Sequence, residues 1–129
     1  METVALKIIY SSEKTKLICT DIRNAKRFFG GQEKYAISLL SRINALANAE
    51  HLKDIIIQPQ MRFHKLVNKG KQSNLLGFFA IDVKTKNDSW RIVLKPLDEN
   101  EKEFVPCNID EIASIVKTIE IKEVSNHYE

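Results

Sequence analysis

The sequence predicts an α+β domain in which a helical hairpin packs on one face of a mostly antiparallel sheet, in the order β-α-α-β-β-β-α-β. Three observations predict it. Between residues 13 and 48 apolar side chains recur at intervals of three and four, interrupted at Gly30-Gly31. From Met61 onward the period falls to two across three strand-length runs separated by turn-rich segments. A last alternating stretch, Val116–Val124, follows a short segment with a helix-capping pattern.

Taken in order, Val4–Tyr10 is β-branched and aromatic and reads as the first strand. It ends at Ser11-Ser12-Glu13, where a serine can cap a helix whose first turn holds a carboxylate. Ile18, Ile22, Ala25 and Phe29 then form one stripe on a helix of roughly four to five turns. After the glycine pair, Ala36, Leu39, Leu40, Ile43 and Leu46 repeat the helical period, so the two helices should lie antiparallel. Asn48 to Pro59 reads as a connection in which Ile55-Ile56-Ile57 must be covered. Met61–Val67, Leu75–Lys84 and Trp90–Lys95 form a meander closed by Pro96. Within it Phe79, Ile81 and Val83 share one face, as do Trp90, Ile92 and Leu94, while Asp82, Lys84, Arg91 and Lys95 take the other. Asn108-Ile109-Asp110-Glu111 has the spacing of a capping box, with Ile112 and Ile115 on one face of a short third helix.

The 129 residues fit a single domain, 1–129, with one core. No apolar run approaches the roughly 20 residues of a membrane helix, and no charged-then-apolar leader opens the chain, so a cytoplasmic protein without membrane contact is expected. Cys19 and Cys107 match no metal or disulfide framework and are expected to be reduced and buried. The net charge of +3 conceals an asymmetry: residues 1–97 hold 17 basic and 8 acidic side chains, and residues 98–129 hold 3 and 9. A basic body carries an acidic last quarter.

His51, His64 and His127 include no pair with helical metal-site spacing, so neither a metal nor another cofactor is expected. His51 reads as a surface connection. His64 lies in Arg62-Phe63-His64-Lys65-Leu66, where a hydrogen-bonded structural histidine is the more frequent case. His127 sits between Asn126 and Tyr128 just after the last strand, and an imidazole there suits proton transfer near neutral pH. Arg91, inside a strand, suits either a solvated face or an anion site.

Those strings, with Gly77-Phe78-Phe79-Ala80-Ile81-Asp82-Val83 and Trp90-Arg91-Ile92-Val93-Leu94, resemble the HigB-type toxins of the RelE/ParE superfamily, over most of the chain. The resemblance implies a toxin of a type II toxin-antitoxin system, a ribosome-dependent mRNA endoribonuclease that needs no metal. It also implies a small helix-turn-helix antitoxin of the HigA type, with operator DNA bound only through that antitoxin. By position, Arg91 would hold the phosphate, His64 would stand in the catalytic cleft, and His127 or Tyr128 would be the acid or base. Arg62, Lys65 and Asn126 would contact substrate. Asn126-His127-Tyr128 departs from the family's Asp-Tyr-His ending: an amide replaces the acid and the two rings are exchanged. Lys65 follows His64 directly where the HigB lysine comes slightly later, which makes Lys69 and Lys71 alternatives. The Asp98–Ile115 segment is an addition to compact HigB toxins, and its acidity places it away from the RNA surface or against the antitoxin. Two other readings compete: a ParE-like DNA gyrase inhibitor without nuclease activity, and a silent remnant that only binds a partner.

Overall fold

A computed structural model describes residues 5–66 and 77–126. The first strand, β1, is Lys7–Tyr10, and Ser12 caps α1 (Glu13–Thr20) by accepting the Thr15 N–H at 3.1 Å. The single helix expected through Phe29 is broken at Asp21. Asp21 is extended, and its carboxylate accepts from the Arg23 N–H and the Asn24 amide, each at 2.9 Å, so it ends α1 and caps α2 (Ile22–Phe28). The break turns the stripe: Ile18, Cys19, Ala25 and Phe29 are buried while Ile22 is exposed. Gly30 and Gly31 then take φ of 64° and 89°, and their N–H groups bond the Arg27 and Lys26 carbonyls at 3.1 and 2.8 Å. This Schellman closure requires left-handed backbone, which glycine adopts without strain.

The returning helix, α3 (Glu33–Asn48), buries Ala36, Leu39, Ile43 and Leu46 as its period predicts. Each buried leucine or isoleucine contributes about 1.5–3 kcal/mol. The presumed connection contains a further short helix, α4 (Lys53–Ile56), which seals Ile55 into the core but leaves Ile57 exposed. Four helices rather than two therefore separate the first two strands.

The described strands form a five-stranded mixed sheet in the order β1-β5-β4-β3-β2, where β2 is His64–Lys65, β3 Phe79–Asp82, β4 Arg91–Leu97 and β5 Thr118–Ser125. β1 runs parallel to β5 and the other pairs are antiparallel, so the meander is present, its first two arms shorter than expected. Pro59–Met61 is a 3₁₀ turn, which reduces the first arm to two paired residues. Pro96 does not close β4, which continues to Leu97. β3 pairs β4 no further than Leu94, so at Pro96 the strand has one sheet neighbour and a missing N–H is tolerated.

A bulge beside Val93 and Leu94 lets Ile121 and Val124, three residues apart, both enter the core. The third helix, α5 (Ile109–Ile112), forms without the expected capping box: Asn108 makes no side-chain cap bond and Ile115 is exposed. Cys19 is buried, but Cys107 is only partly so.

The main core joins α1, α2 and α3 to Phe79, Ile81, Val83, Ile92, Leu94, Ile119 and Ile121. Trp90 packs edge-on against Phe28 and Phe29, with ring centroids 5.4 and 4.9 Å away, and pins the helical hairpin to the start of β4. A second, smaller cluster, Leu66, Ala80 and Val93, lies on the opposite face of the sheet and includes no helical residue.

Candidate functional site

Asp82 and Arg91, expected on the sheet face opposite the apolar one with Arg91 either solvated or holding an anion, are 2% and 5% exposed. They are cross-strand partners at one end of the sheet, and Arg91 in turn pairs with Ser125 of β5. The Asp82 carboxylate accepts Arg62 Nε with both oxygens, at 3.0 and 2.9 Å. Arg91 Nε stands 3.3 Å from the same carboxylate, too far out of line for a hydrogen bond, so this contact is an ion pair only. The rest of the Arg91 fork donates to the carbonyls of Trp90 (2.8 Å), Lys86 (3.2 Å) and Thr85 (3.4 Å), and Asp88 lies 3.8 Å away.

Arg42, which the sequence did not single out, donates to the carbonyls of Asp82, Gln60 and Lys84 and ties α3 to this corner. The cluster therefore spends Arg91 on the fold and leaves Arg62 as the outward cation, with its side chain 35% exposed. Arg62, Tyr35, Lys86, Asp88, Trp90 and Arg91 line an open depression of about 570 Å³.

Arg62 ends the 3₁₀ turn with φ 46°, a left-handed conformation rare for a side chain of its kind. The result is local: His64 Nδ1 reaches back to the Arg62 carbonyl at 2.7 Å. A carbonyl only accepts, so Nδ1 carries the hydrogen and Nε2 holds the lone pair of the neutral ring. His64 is paired with Ala80, which puts it on the face that carries Asp82 and Arg91. It lies two strands and two residues from Arg91, about 12 Å between Cα atoms at ordinary sheet spacings. Lys65 is paired with Phe79 and so projects from the other face, away from His64. His64 and Lys65 border a separate depression of about 320 Å³ with Phe63, Ile57 and Ile109.

Asn126 is exposed and follows Ser125, which places the start of the tail beside Arg91. His127, Tyr128, Lys69 and Lys71 lie outside the described residues. The structure thus gathers Arg62, Arg91 and Asn126 at one end of the sheet, sets His64 one row further on the same face, and separates Lys65 from them.

Comparison with known proteins finds no match: no family model fits the chain, and no curated protein or solved structure matches it. The chemistry of the site therefore rests on these residues. Among the described residues no group of three or more His, Cys, Asp and Glu is placed to hold a metal ion, and no helix is long and apolar enough to cross a membrane.

The acidic segment does not stand apart from the basic surface. Glu101 pairs with Lys7 at 2.8 Å and Glu103 with Lys95 at 2.6 Å, while Glu120 of β5 lies 3.4 Å from Lys95. Burial alone pulls Lys95 toward its neutral form, but the hydrogen bond to Glu103 and the charges of Glu120 and Glu103 outweigh it and raise its pKa. Sequence reasoning also missed Phe78 and Lys122: the Lys122 ammonium lies 4.7 Å from the Phe78 ring centroid. The adjacent phenylalanines carried a signal, since strand alternation must send Phe78 and Phe79 to opposite faces.

Proposed function

We propose that the chain is a HigB-like toxin that cuts mRNA at the ribosome in the cytoplasm and is neutralised by a HigA-like helix-turn-helix antitoxin. The observation that carries the reading is that Arg62, Arg91, His64 and the chain leading into Asn126 share one face of the sheet. Cleavage requires the 2′-oxygen to attack phosphorus as the 5′-oxygen leaves, giving a cyclic phosphate and a free 5′-hydroxyl. A base takes the 2′ proton, an acid returns one to the departing oxygen, and cations offset the charge gathering on the phosphate.

In this reading Arg62 meets the phosphate while Arg91 and Asp82 hold Arg62 in place. His64 is the base, and His127 or Tyr128 supplies the acid. DNA lacks the 2′-hydroxyl and is not a substrate.

Inducing the protein without its antitoxin and mapping mRNA 5′ ends tests the proposal. New in-frame cuts are expected for the wild type and none for His64→Ala and Arg62→Gln. The internal pairing of Arg91 favours a second reading, a ParE-like gyrase inhibitor, because a guanidinium already neutralised by Asp82 is poorly placed to bind phosphate. Growth arrest with intact transcripts and lost supercoiling activity selects that reading. Soluble protein with normal growth excludes both.

A further inference from the structure

In a two-layer fold the sheet face away from the helices usually carries polar side chains. Here it holds a buried patch of Leu66, Ala80 and Val93, with Phe78 half-buried against it. Two ammonium groups stand over the Phe78 ring, that of Lys122 at 4.7 Å and that of Lys95 at 5.2 Å from the centroid. The ring thus presents its π face to cations while packing against that patch. Lys95 is committed to Glu103 and Glu120, whereas Lys122 makes no ion pair among the described residues. Its place on this face follows from the β5 bulge, which lets Lys122 reach Phe78 while Glu123 pairs with Val93.

We infer that Phe78 and Lys122 form a base-stacking subsite for single-stranded RNA, the ring taking the face of an unpaired base and Lys122 the adjoining phosphate. The inference rests on the RNA-cleaving reading above. An aromatic ring on a sheet face with a cation beside it is how sheets hold unpaired nucleotides. The exchange is favourable: an exposed cation–π contact is worth about a two- to fivefold preference, and stacking a base about 5- to 150-fold. Displacing Lys122 from the ring also frees its charge for phosphate. Phe78 and Asp82 are four residues apart on one extended segment, about 14 Å, so a strand held at Arg62 must be an oligonucleotide to reach Phe78.

The test uses the full chain and a short fluorescent 2′-O-methyl oligoadenylate, which has no free 2′-hydroxyl and cannot be cut, titrated by anisotropy at several salt concentrations. Phe78→Ala should weaken binding about 5- to 150-fold and Phe78→Trp should keep it. Phe78→Leu retains the apolar cover and should lose binding with an unchanged unfolding midpoint. Lys122→Gln should flatten the log–log salt slope by about 0.7. Wild-type affinity in both Phe78→Leu and Phe78→Ala overturns the subsite, as does a wild-type protein that leaves the probe unbound up to about 10⁻⁴ M. Uncut transcripts together with Phe78-dependent binding would remove the cleavage reading and leave the subsite, and the reverse pair of results would remove the subsite alone.

Discussion

On β3 the side chains of Phe79 and Ile81 face α1, α2 and α3, while those of Ala80 and Asp82 face the other way, and β4 divides Ile92 and Leu94 from Arg91 and Val93 in the same manner. All of these residues are buried, so exposure does not distinguish the faces. What differs is the means. The helix side is closed by apolar packing, which has no preferred partner and tolerates a swap of similar volume. The open side is closed at one end by a carboxylate shared between two arginines, which tolerates loss of neither sign. Burial by packing keeps the hairpin on the sheet, and burial by pairing holds Arg62 at the surface in one pose.

The sharpest way to break this comparison is Asp82→Ala, which strands the nearly buried Arg91 and releases Arg62. Urea unfolding should show a loss of about 3–5 kcal/mol. Replacing both partners, Asp82→Leu with Arg91→Met, should recover most of that loss, because the Coulombic gain and the desolvation cost disappear together. A single variant within about 1 kcal/mol of wild type would mean that the pair does not hold this end of the sheet. Next in size is Ile92→Ala on the helix side, where a fully buried side chain leaves a cavity and about 2–5 kcal/mol is expected. Unlike the first loss, this one should not be relieved by any change in charge.

The helix side also holds two titratable groups neutral. Burial pushes the Cys19 thiol to about 12, and burial first, then the neighbouring Cys19, pushes Tyr10 to about 12. The unfolded thiol ionises near its ordinary value of about 9, so above that pH the unfolded chain has lost a proton the folded chain keeps. Stability is then complete below pH 9 and declines as pH rises toward 12, by about 1 kcal/mol at pH 10. Thermal unfolding across pH 7–11 measures the decline, and Cys19→Ala should reduce it to the part due to Tyr10. A flat profile would show that the thiol reaches water.

The period of two made the division of faces legible in advance, and the period of three and four made α3 so, because both follow from local geometry. Asp21 was hidden because the apolar stripe runs through it from Ile18 to Phe29, and the helix is broken by its carboxylate taking the Arg23 backbone N–H, with the Asn24 side-chain amide as a second donor. Pro96 misled for the opposite reason: its penalty depends on a neighbouring strand, and β3 stops short of it. At the site, Arg91 and His64 could be named as strand residues, but register decides what they meet. Asp82 lies opposite Arg91 and receives Arg62 across the edge of the sheet, twenty residues away. Residue type gave no sign of that shared carboxylate.

The smallest expected change in stability bears most directly on the open face. Glu101 and Glu103 place two of the acidic last quarter's charges on Lys7 and Lys95, so part of the charge asymmetry along the chain is settled inside the fold. Both glutamates are largely exposed, and exposed pairs contribute about 0–1 kcal/mol each. Glu101→Gln with Glu103→Gln should therefore shift the urea midpoint only slightly, and less in high salt. Binding to single-stranded RNA should move in the other direction. With Glu103 neutral, Lys95 keeps Glu120 as its remaining partner and can offer its charge to a phosphate beside Phe78. Tighter binding with a steeper salt dependence is expected, by about one further phosphate contact. If affinity and slope both stay at wild-type values, the acidic segment braces the sheet without screening its open face.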